Sequence, residues 1–480
     1  MILPAWPCGS EDDLSNLTLS NALRIALHSN KDIRIAAREP DAAEARVTGA
    51  KGEFDPNLFL EATYDESELE VADIAIGSEE VDQGRIAAGA RKRNHTGTDL
   101  EIGARYDHYR FGGSLPSSQQ GTRVALILSQ DLLKDFGLDI NRTEIRVAQN
   151  DTRISAETLR DTMIQTVFEV EKAYWDLFFS MADLDVRRLQ LQRAKDLVTR
   201  AELQVEAGEA PPIEITRAQS GAATQAVAIL DAKNLIAKLR NRLLERMGIL
   251  KTQPPDAPLQ LSDDPPQGAI EANLNDARAT AAHARPDLVQ AELRIENARL
   301  RQHFTRNQRL PRLRLLSEVS HEELDANRGS SREFRNDEDL SWGVGVLMEV
   351  PWPNREARAD HLVSRIEHDQ AITRAEALRE QIEIQVRDAF EDLRTTEGRI
   401  EAAGEAHELA LRLLEAEETS FKLGRTDSLN VLNAQAVTAT AERDRIRART
   451  DYASALANFY RVRGDLLEQK KIRFETGREG

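Results

Sequence analysis

Few residues in this sequence stand at spacings that support chemistry. His321-Glu322-Glu323-Leu324 begins like the zinc-binding helix of a metalloprotease, but the second histidine of that motif is missing. Gly343-x-Gly345 has no phosphate-loop context, and the sequence contains no G-x4-G-K-[ST] motif. We therefore predict no catalytic residue, no metal site, no cofactor and no ATP hydrolysis by this chain.

The only cysteine, Cys8, excludes a disulfide framework and a multi-thiolate metal site within the chain. Cys8-Gly9-Ser10 is weakly similar to a lipid-modified cysteine, although Ala5 stands where such a signal usually has leucine. Lipidation of Cys8 and a true start upstream of Met1 are both open alternatives.

Charge and composition narrow the possible classes of protein. The chain has 64 Lys and Arg against 82 Asp and Glu, a net charge of −18, which argues against a broad nucleic-acid interface. Only 5% of its residues are aromatic, while Ala, Arg, Glu and Leu are abundant, as in long helices packed through small side chains. The sequence contains no run of about 18 apolar residues, which is the length that predicts a transmembrane helix.

The most specific pattern is a turn motif that occurs twice. Val205-x-x-Gly208-x4-Ile213-x-Ile215-x-x-Ala218-Gln219 recurs 216 residues later over Phe421–Gln435. The two copies stay in register from Val147 to Gly248 in the first copy. An earlier segment, Leu19–Asp32, recurs with a shift of 255, so the first copy carries 39 extra residues between Leu58 and Val147. The chain is therefore an internal repeat.

Each copy predicts the same order of elements. A short helix opens at Ser20 or Asn275, both good N-cap residues. Alternating segments follow, and then a very long helix runs to Gly208 or Gly424, each of which ends it in a left-handed conformation. A tight turn leads into a return helix. The pattern predicts a strand hairpin mounted on a long antiparallel helical pair.

The boundaries predicted from these patterns cover the whole chain. They are an N-terminal tail (1–16), a first repeat (17–248), a proline-rich linker (249–270), a second repeat (271–468) and a C-terminal tail (469–480). Strands are expected at about 58–66, 122–130, 313–322 and 340–350, with an extra hairpin at about 84–110 and long helical hairpins at 142–248 and 356–468.

The predicted strands have one apolar face. In the segment before Pro351 this face carries Trp342, Val344, Val346, Met348 and Val350. A period of two with one apolar face fits a lipid-facing strand and also a half-buried strand of a small soluble sheet. Four strands in lipid must close into a barrel, which one chain cannot do alone, so the membrane interpretation implies an oligomer.

The doubled plan resembles the TolC-type outer-membrane efflux protein family over residues 17–468. The paired turns carry the resemblance, together with the Leu19–Arg34 start and the Trp342–Pro351 passage from strand to helix. It implies a mainly α, mixed fold in which long antiparallel helical hairpins form a trimeric α-barrel tunnel, with four strands per protomer in a twelve-stranded β-barrel. The implied function is a passive export conduit across periplasm and outer membrane, in a tripartite efflux or type I secretion system.

The same resemblance implies partners and site residues. The partners are two further copies, a periplasmic adaptor protein, an inner-membrane pump or ABC transporter, and outer-membrane lipid. The tips that contact the adaptor would be Ala207, Gly208, Glu209, Leu423, Gly424 and Arg425. The periplasmic entrance would carry Glu214, Arg217, Asn430 and Asn433, although Glu214 also suits a solvated carboxylate at a helix start.

Two features depart from the family. Family members often carry aspartates at the entrance positions that Asn430 and Asn433 occupy here. The extra hairpin fits either an extension on the extracellular side or a change in the strand count. The alternative from another class is a soluble coiled-coil scaffold that binds partner helices. The strand set and the doubled turn argue against it, and the exported substrate and the pump are open.

Overall fold

The repeated sequence folds into two repeated sets of elements. The computed structural model describes residues 16–70, 78–111, 117–208, 210–252, 254, 259–266, 273–325, 340–423 and 425–472. The first copy contains α1 (Leu19–Ser29), α2 (Lys31–Ala36), α3 (Glu39–Lys51), β1 (Asn57–Glu70), β2 (Ser78–Arg93), β3 (Thr98–Phe111), β4 (Ser117–Asp131), α4 (Leu138–Asn141), α5 (Thr143–Glu206) and α6 (Ile213–Met247). The second contains α7 (Leu274–Ala284), α8 (Pro286–Gln308), β5 (Arg312–Asp325), β6 (Leu340–Glu349), α9 (Arg355–Lys422), α10 (Ser428–Arg463) and α11 (Leu466–Gln469).

Two of the helices are unusually long. Helix α5 has 64 residues and α9 has 68, which correspond to about 96 and 102 Å at 1.5 Å per residue. The chain divides into two compact units. The first comprises the described parts of Met1–Pro40, Ile154–Gln290 and Ala375–Gly480, and the second those of Asp41–Arg153 and Ala291–Arg374. No helix in the described part of the chain is long and apolar enough to cross a membrane.

The first unit is helical and has its main apolar cluster around α5. Val167 and Tyr174 of α5 are fully buried there, with Leu23 of α1, Met247 of α6 and Leu466 of α11. The caps of the short helices lie two residues before the predicted ones: the Thr18 hydroxyl caps α1, and the Asn273 side chain caps α7.

The two copies close their helical parts in the same way. Gly248 ends α6 with φ of 79° and lies against the Ser29 carbonyl, while the Asn30 side-chain amide donates to the Arg246 carbonyl at 2.8 Å. Gly464 ends α10 with φ of 84° and lies against Ala284. In both copies the end of the return helix thus meets the junction between two shorter helices.

The second unit contains a single antiparallel sheet. Its six strands pair in sequence order from β1 to β6, and among the described strands β1 and β6 are edges. Successive side chains alternate between two faces. The register places Ala62 opposite Ile86, and Ala88 opposite Ala104. All six strands therefore share one apolar and one polar face.

The predicted fold class, mainly helical with an antiparallel sheet, is confirmed, but the count of four strands is wrong. The 39 surplus residues form β2 and β3, which insert between β1 and β4. Their alternation continues the apolar face through Ile86 and Ile102, and Gly97, with φ of 83°, lies in the turn between them. Two full strands with the same two-sided pattern belong to the sheet, so the extra hairpin changes the strand count.

Candidate functional site

The first helical turn is built around a left-handed glycine. Gly208 has φ of 75°, and its N–H donates to the Val205 carbonyl at 3.0 Å. The Ala210 N–H reaches back to the Gln204 carbonyl at 3.3 Å, which satisfies the last carbonyls of α5. Ala207 and Gly208 are exposed, and Glu209 lies outside the described residues. Two of the predicted tip residues are thus available to a partner.

The second helical turn is exposed as well. Leu423 has 61% of its surface exposed, and Arg425 is exposed, while Gly424 lies outside the described residues. The Asp427 carboxylate caps α10 by accepting from the Asn430 N–H at 3.1 Å. An exposed leucine beside an exposed arginine suits contact with another protein, and adaptor contact stays a prediction.

An apolar cluster joins the two turns within the first unit. Its buried members are Leu197, Ala201, Ala218, Phe421 and Val431, which come from α5, α6, α9 and α10. The motif positions Ala218 and Phe421 therefore serve packing between the two hairpins. Gly221 of α6 lies against the side chain of Leu432. A Cβ added at Gly221 would lie only 3.0 Å from that side chain.

Glu214 is a buried carboxylate in this structure. Only 7% of its surface is exposed, and it accepts hydrogen bonds from the Ser428 N–H at 3.2 Å and from the Ser428 hydroxyl. Its other oxygen accepts from Arg217 at 2.6 Å. Glu214 thus connects the start of α6 to the start of α10. The structure differs here from the solvated helix-start carboxylate considered from the sequence.

The other predicted entrance residues are exposed. Asn430 donates from its side chain to the Thr426 hydroxyl at 2.9 Å, and Asn433 lies one turn along the same helix. Arg217 is about 44% exposed at its side chain. Whether these three residues line an entrance stays a prediction.

The apolar face of the sheet is exposed across all six strands. The predicted lipid-facing residues of β6 are each more than half exposed, with Trp342 at 77% and Met348 at 61%, and Val350, just beyond the strand, at 53%. The same face carries exposed side chains on the other strands, namely Leu58, Leu60 and Tyr64 (β1), Ile86 (β2), Ile102 and Tyr106 (β3), Leu126 and Leu128 (β4) and Val319 (β5). A contiguous apolar surface of this extent marks an interaction with lipid or protein.

The polar face of the sheet carries ion pairs between neighbouring strands. Arg85 and Arg105 both contact Asp107, at 2.8 and 2.6 Å. Other pairs on this face are Arg91 with Glu101, Arg123 with Glu318 and Arg314 with Asp131. Paired charges on one side and exposed apolar side chains on the other fit a sheet between water and lipid.

Residues 277–465 match the model of the outer membrane efflux protein family. Three solved structures illustrate the agreement in fold. The outer-membrane channel OprN is 17% identical, with a TM-score of 0.69 over 93% of this chain and 90% of its own. VceC, an outer membrane protein from Vibrio cholerae, is 15% identical, with a TM-score of 0.67 over 93% and 96%. The Campylobacter jejuni CmeC outer membrane channel is 14% identical, with a TM-score of 0.65 over 97% and 94%.

The chain has the fold of an outer membrane efflux protein. The resemblance predicted from the paired turns is confirmed by the family model and by these structures. No curated relative matches the sequence. In the described part of the chain, no group of three or more His, Cys, Asp or Glu side chains is arranged to hold a metal ion.

Sequence reasoning missed a polar seam between α5 and α10 of this efflux protein fold. Asp183 contacts Arg443 and also accepts from Arg187 at 2.8 Å, while Arg447 lies 3.6 Å from Asp176 and 5.0 Å from the Phe179 ring centre. The partners are about 260 residues apart in the sequence, so no local spacing reveals them. The seam joins the first repeat to the second.

Proposed function

We propose that three copies of this chain form an export channel through the outer membrane. The observation that carries the proposal is the six-stranded sheet, which is apolar and exposed on one face and charged on the other. In lipid, the apolar face contacts acyl chains, and the polar face lines a water-filled lumen. Such a channel is passive, because the chain itself carries no nucleotide-binding motif.

The two sheet edges support closure by further copies. Both edge strands present unpaired backbone groups, and such groups cost several kcal/mol each in hydrocarbon. Six is an even number, so β6 of one copy runs antiparallel to β1 of the next when copies are arranged in a ring. The ring continues the alternation of strand direction without interruption.

The strand count makes the proposed barrel wider than the twelve-stranded barrel expected from the sequence. Three copies with six strands each give eighteen strands. Because barrel diameter grows roughly linearly with strand number, the barrel would be about 1.5 times as wide. Barrels of 16–18 strands leave an aqueous channel.

The helical turns support the proposed role in a larger assembly. Leu423 and Arg425 are exposed, and the apolar cluster that includes Phe421 packs beside them. The two exposed side chains therefore lie on a well-packed turn that a periplasmic adaptor could contact. Through that adaptor, an inner-membrane pump or ABC transporter would supply the energy of export. A soluble coiled-coil scaffold, the alternative from another class, does not account for the exposed apolar face of the sheet.

The test is the state of the protein after export. When the chain is expressed behind a secretion signal, it should be extracted from outer membranes by detergent as a trimer of about 160 kDa, three times its 53.8 kDa. A water-soluble monomer in the periplasm would contradict the proposal. Trimers that fail to conduct ions in planar bilayers would contradict the channel but leave the membrane location standing.

A further inference from the structure

A pocket of about 420 Å³ lies where β6 passes into α9. Arg306 lies in the last turn of α8, and Arg309 immediately follows that helix. Arg358 lies in the first turn of α9. Trp352 and Asn354 from the connecting segment complete the polar and aromatic part of the lining. The whole pocket lies within the second unit.

The lining carries three positive charges and no acidic side chain. In the described part of the chain, none of the three guanidinium groups has an ion-pair partner, whereas Arg285 and Arg314 each contact a carboxylate. Three arginines without a carboxylate partner therefore line one pocket, although the chain as a whole has a net charge of −18. Three unpaired guanidinium groups repel one another, so an anion in the pocket would be stabilised.

A nearby histidine experiences the same positive field. Desolvation lowers the pKa of His361 on α9, and the charges of Arg309, Arg306 and Arg365 lower it further. Asn354 immediately precedes α9, so the pocket also borders the positive end of a long helix dipole. Guanidinium groups beside a helix N-terminus are a favourable setting for a phosphate group.

The equivalent junction of the first repeat is covered by its own chain. There Phe54 takes the place of Arg309 and packs 4.1 Å from the His95 ring, which lies in the turn between β2 and β3. The Gly137 N–H donates to the Thr96 carbonyl of that turn at 3.2 Å. At the second junction, the segment that follows β4 contacts the end of α8, where the Asp135 N–H donates to the Asn307 side chain at 2.8 Å. No described residue there forms an ion pair with the three arginines, which are left for an external ligand.

The pocket also lies at the border of the apolar face. Met348, the second-last residue of β6, is 61% exposed. Trp352, in the segment between β6 and α9, is 90% exposed. Tryptophan and arginine beside the end of an apolar band are typical of the level of lipid headgroups. A phosphate at this depth would come from a lipid.

We propose that Arg306, Arg309 and Arg358 bind the phosphate of an anionic phospholipid headgroup in the leaflet nearer the helices. The inference rests on the proposed membrane location of the sheet. Guanidinium groups donate paired hydrogen bonds to phosphate oxygens, and Trp352 anchors the adjoining glycerol and acyl region. One lipid per chain gives three per trimer.

Purified trimers in nanodiscs of phosphatidylcholine with a minor fraction of phosphatidylglycerol provide the test. Native mass spectrometry should retain up to three phosphatidylglycerol molecules per trimer. The triple variant R306Q/R309Q/R358Q should lower this affinity roughly tenfold or more, as expected for lost charge-assisted hydrogen bonds. The triple variant R301Q/R374Q/R387Q removes the same charge from α8 and α9 outside the pocket and should bind like the wild type.

The possible results distinguish a lipid phosphate from free phosphate, and a failure of the lipid site from a failure of the proposed channel. Binding of inorganic phosphate alone to the pocket, as tight as that of the lipid, would overturn a lipid-specific site. Trimers that insert and conduct but show no preference for phosphatidylglycerol would overturn this inference alone. A chain that forms no membrane-inserted trimer would overturn the proposed function first, and this inference with it.

Discussion

Glu214 of α6 and Ser428 of α10 are joined by two hydrogen bonds, although they lie 214 residues apart. Ser428 is fully buried, and Glu214 is 7% exposed. The carboxylate takes up the first N–H of α10, which has no partner within the helix. A charged acceptor at a helix N-terminus is also favoured by the helix dipole. The two helical turns are therefore held together by a polar contact in addition to their apolar cluster.

Replacing Glu214 with Ala should loosen the start of α10. Hydrogen bonds to a charged group contribute about 1.5–3 kcal/mol, so the free energy of local opening should fall by about that amount. Hydrogen exchange of the Ser428–Val431 amides measures it. Glu202→Ala, at an exposed position near the end of α5, is the matched control and should leave exchange unchanged. Equal exchange in the two variants would show that the contact does not stabilise the turns.

Tyr174 gives a prediction for alkaline pH. Its fully buried hydroxyl donates to the Leu17 carbonyl at 3.0 Å and accepts from the Asp263 N–H at 3.3 Å. Burial raises the pKa of Tyr174 from 10.0 to about 12. A raised pKa means that the folded state holds its proton more tightly than the unfolded state. Its contribution to stability is full below pH 10 and is lost as the pH rises towards 12.

Tyr174→Phe should therefore lower the free energy of unfolding by about 1–3 kcal/mol at neutral pH, because the buried Leu17 carbonyl and the half-buried Asp263 N–H lose a partner. The deficit relative to the wild type should shrink between pH 10 and about 12. Urea unfolding followed by circular dichroism measures both effects. The control Tyr106→Phe, on the exposed face of β3, should change neither. A deficit that does not depend on pH would contradict the linkage.

Gly248 gives a prediction about backbone geometry. An added Cβ would lie 2.4 Å from the Ser29 carbonyl oxygen, and φ of 79° is unfavourable for alanine. Gly248→Ala should lower the melting temperature, with a destabilisation of about 1–3 kcal/mol. Gly398→Ala, in the middle of α9 with open space around it, should instead stabilise by about 0.5–1 kcal/mol. A neutral effect at Gly248 would mean that the junction of α1 and α2 moves away without cost.

Asn430 and Asn433 test the proposed entrance. In a trimer each would occur three times near one axis, and their neutral hydrogen bonds hold an entrance closed only weakly, at ~0.5–1.5 kcal/mol each. The double substitution N430D/N433D should strengthen cation selectivity and create block by multivalent cations from the periplasmic side. Planar-bilayer recordings measure both. If conductance, selectivity and block are all unchanged, these residues do not line the constriction.

Local patterns in the sequence predicted the elements well. Gly208 was predicted to end a long helix, and it has the left-handed conformation that such an ending requires. The alternation of Trp342, Val344 and Val346 predicted a strand with one exposed apolar face. These features depend on residues close together in the chain, where spacing alone is informative.

Other features depend on residues far apart in the chain and were missed. The alternation at Ile86 and Ile102 indicated strands, but only the pairing of β2 with β1 and of β3 with β4 places them inside the sheet. Glu214 stands at a helix start, which suggests solvent exposure, and its burial depends on Ser428. The place of β2 and β3 in the sheet and the burial of Glu214 both result from contacts between residues far apart in the sequence. Local periodicity does not reveal such contacts.

The central claim is that sheets from three copies close around one aqueous lumen. Electron cryomicroscopy of the protein in lipid nanodiscs tests it most directly, because strands can be counted in a membrane-embedded barrel. The account predicts a trimer with eighteen strands, β6 of one copy beside β1 of the next, with Trp342 and Ile86 facing lipid and Arg85 and Arg123 facing water. A twelve-stranded barrel with β2 and β3 outside the wall, or a sheet that does not close with other copies, would contradict it.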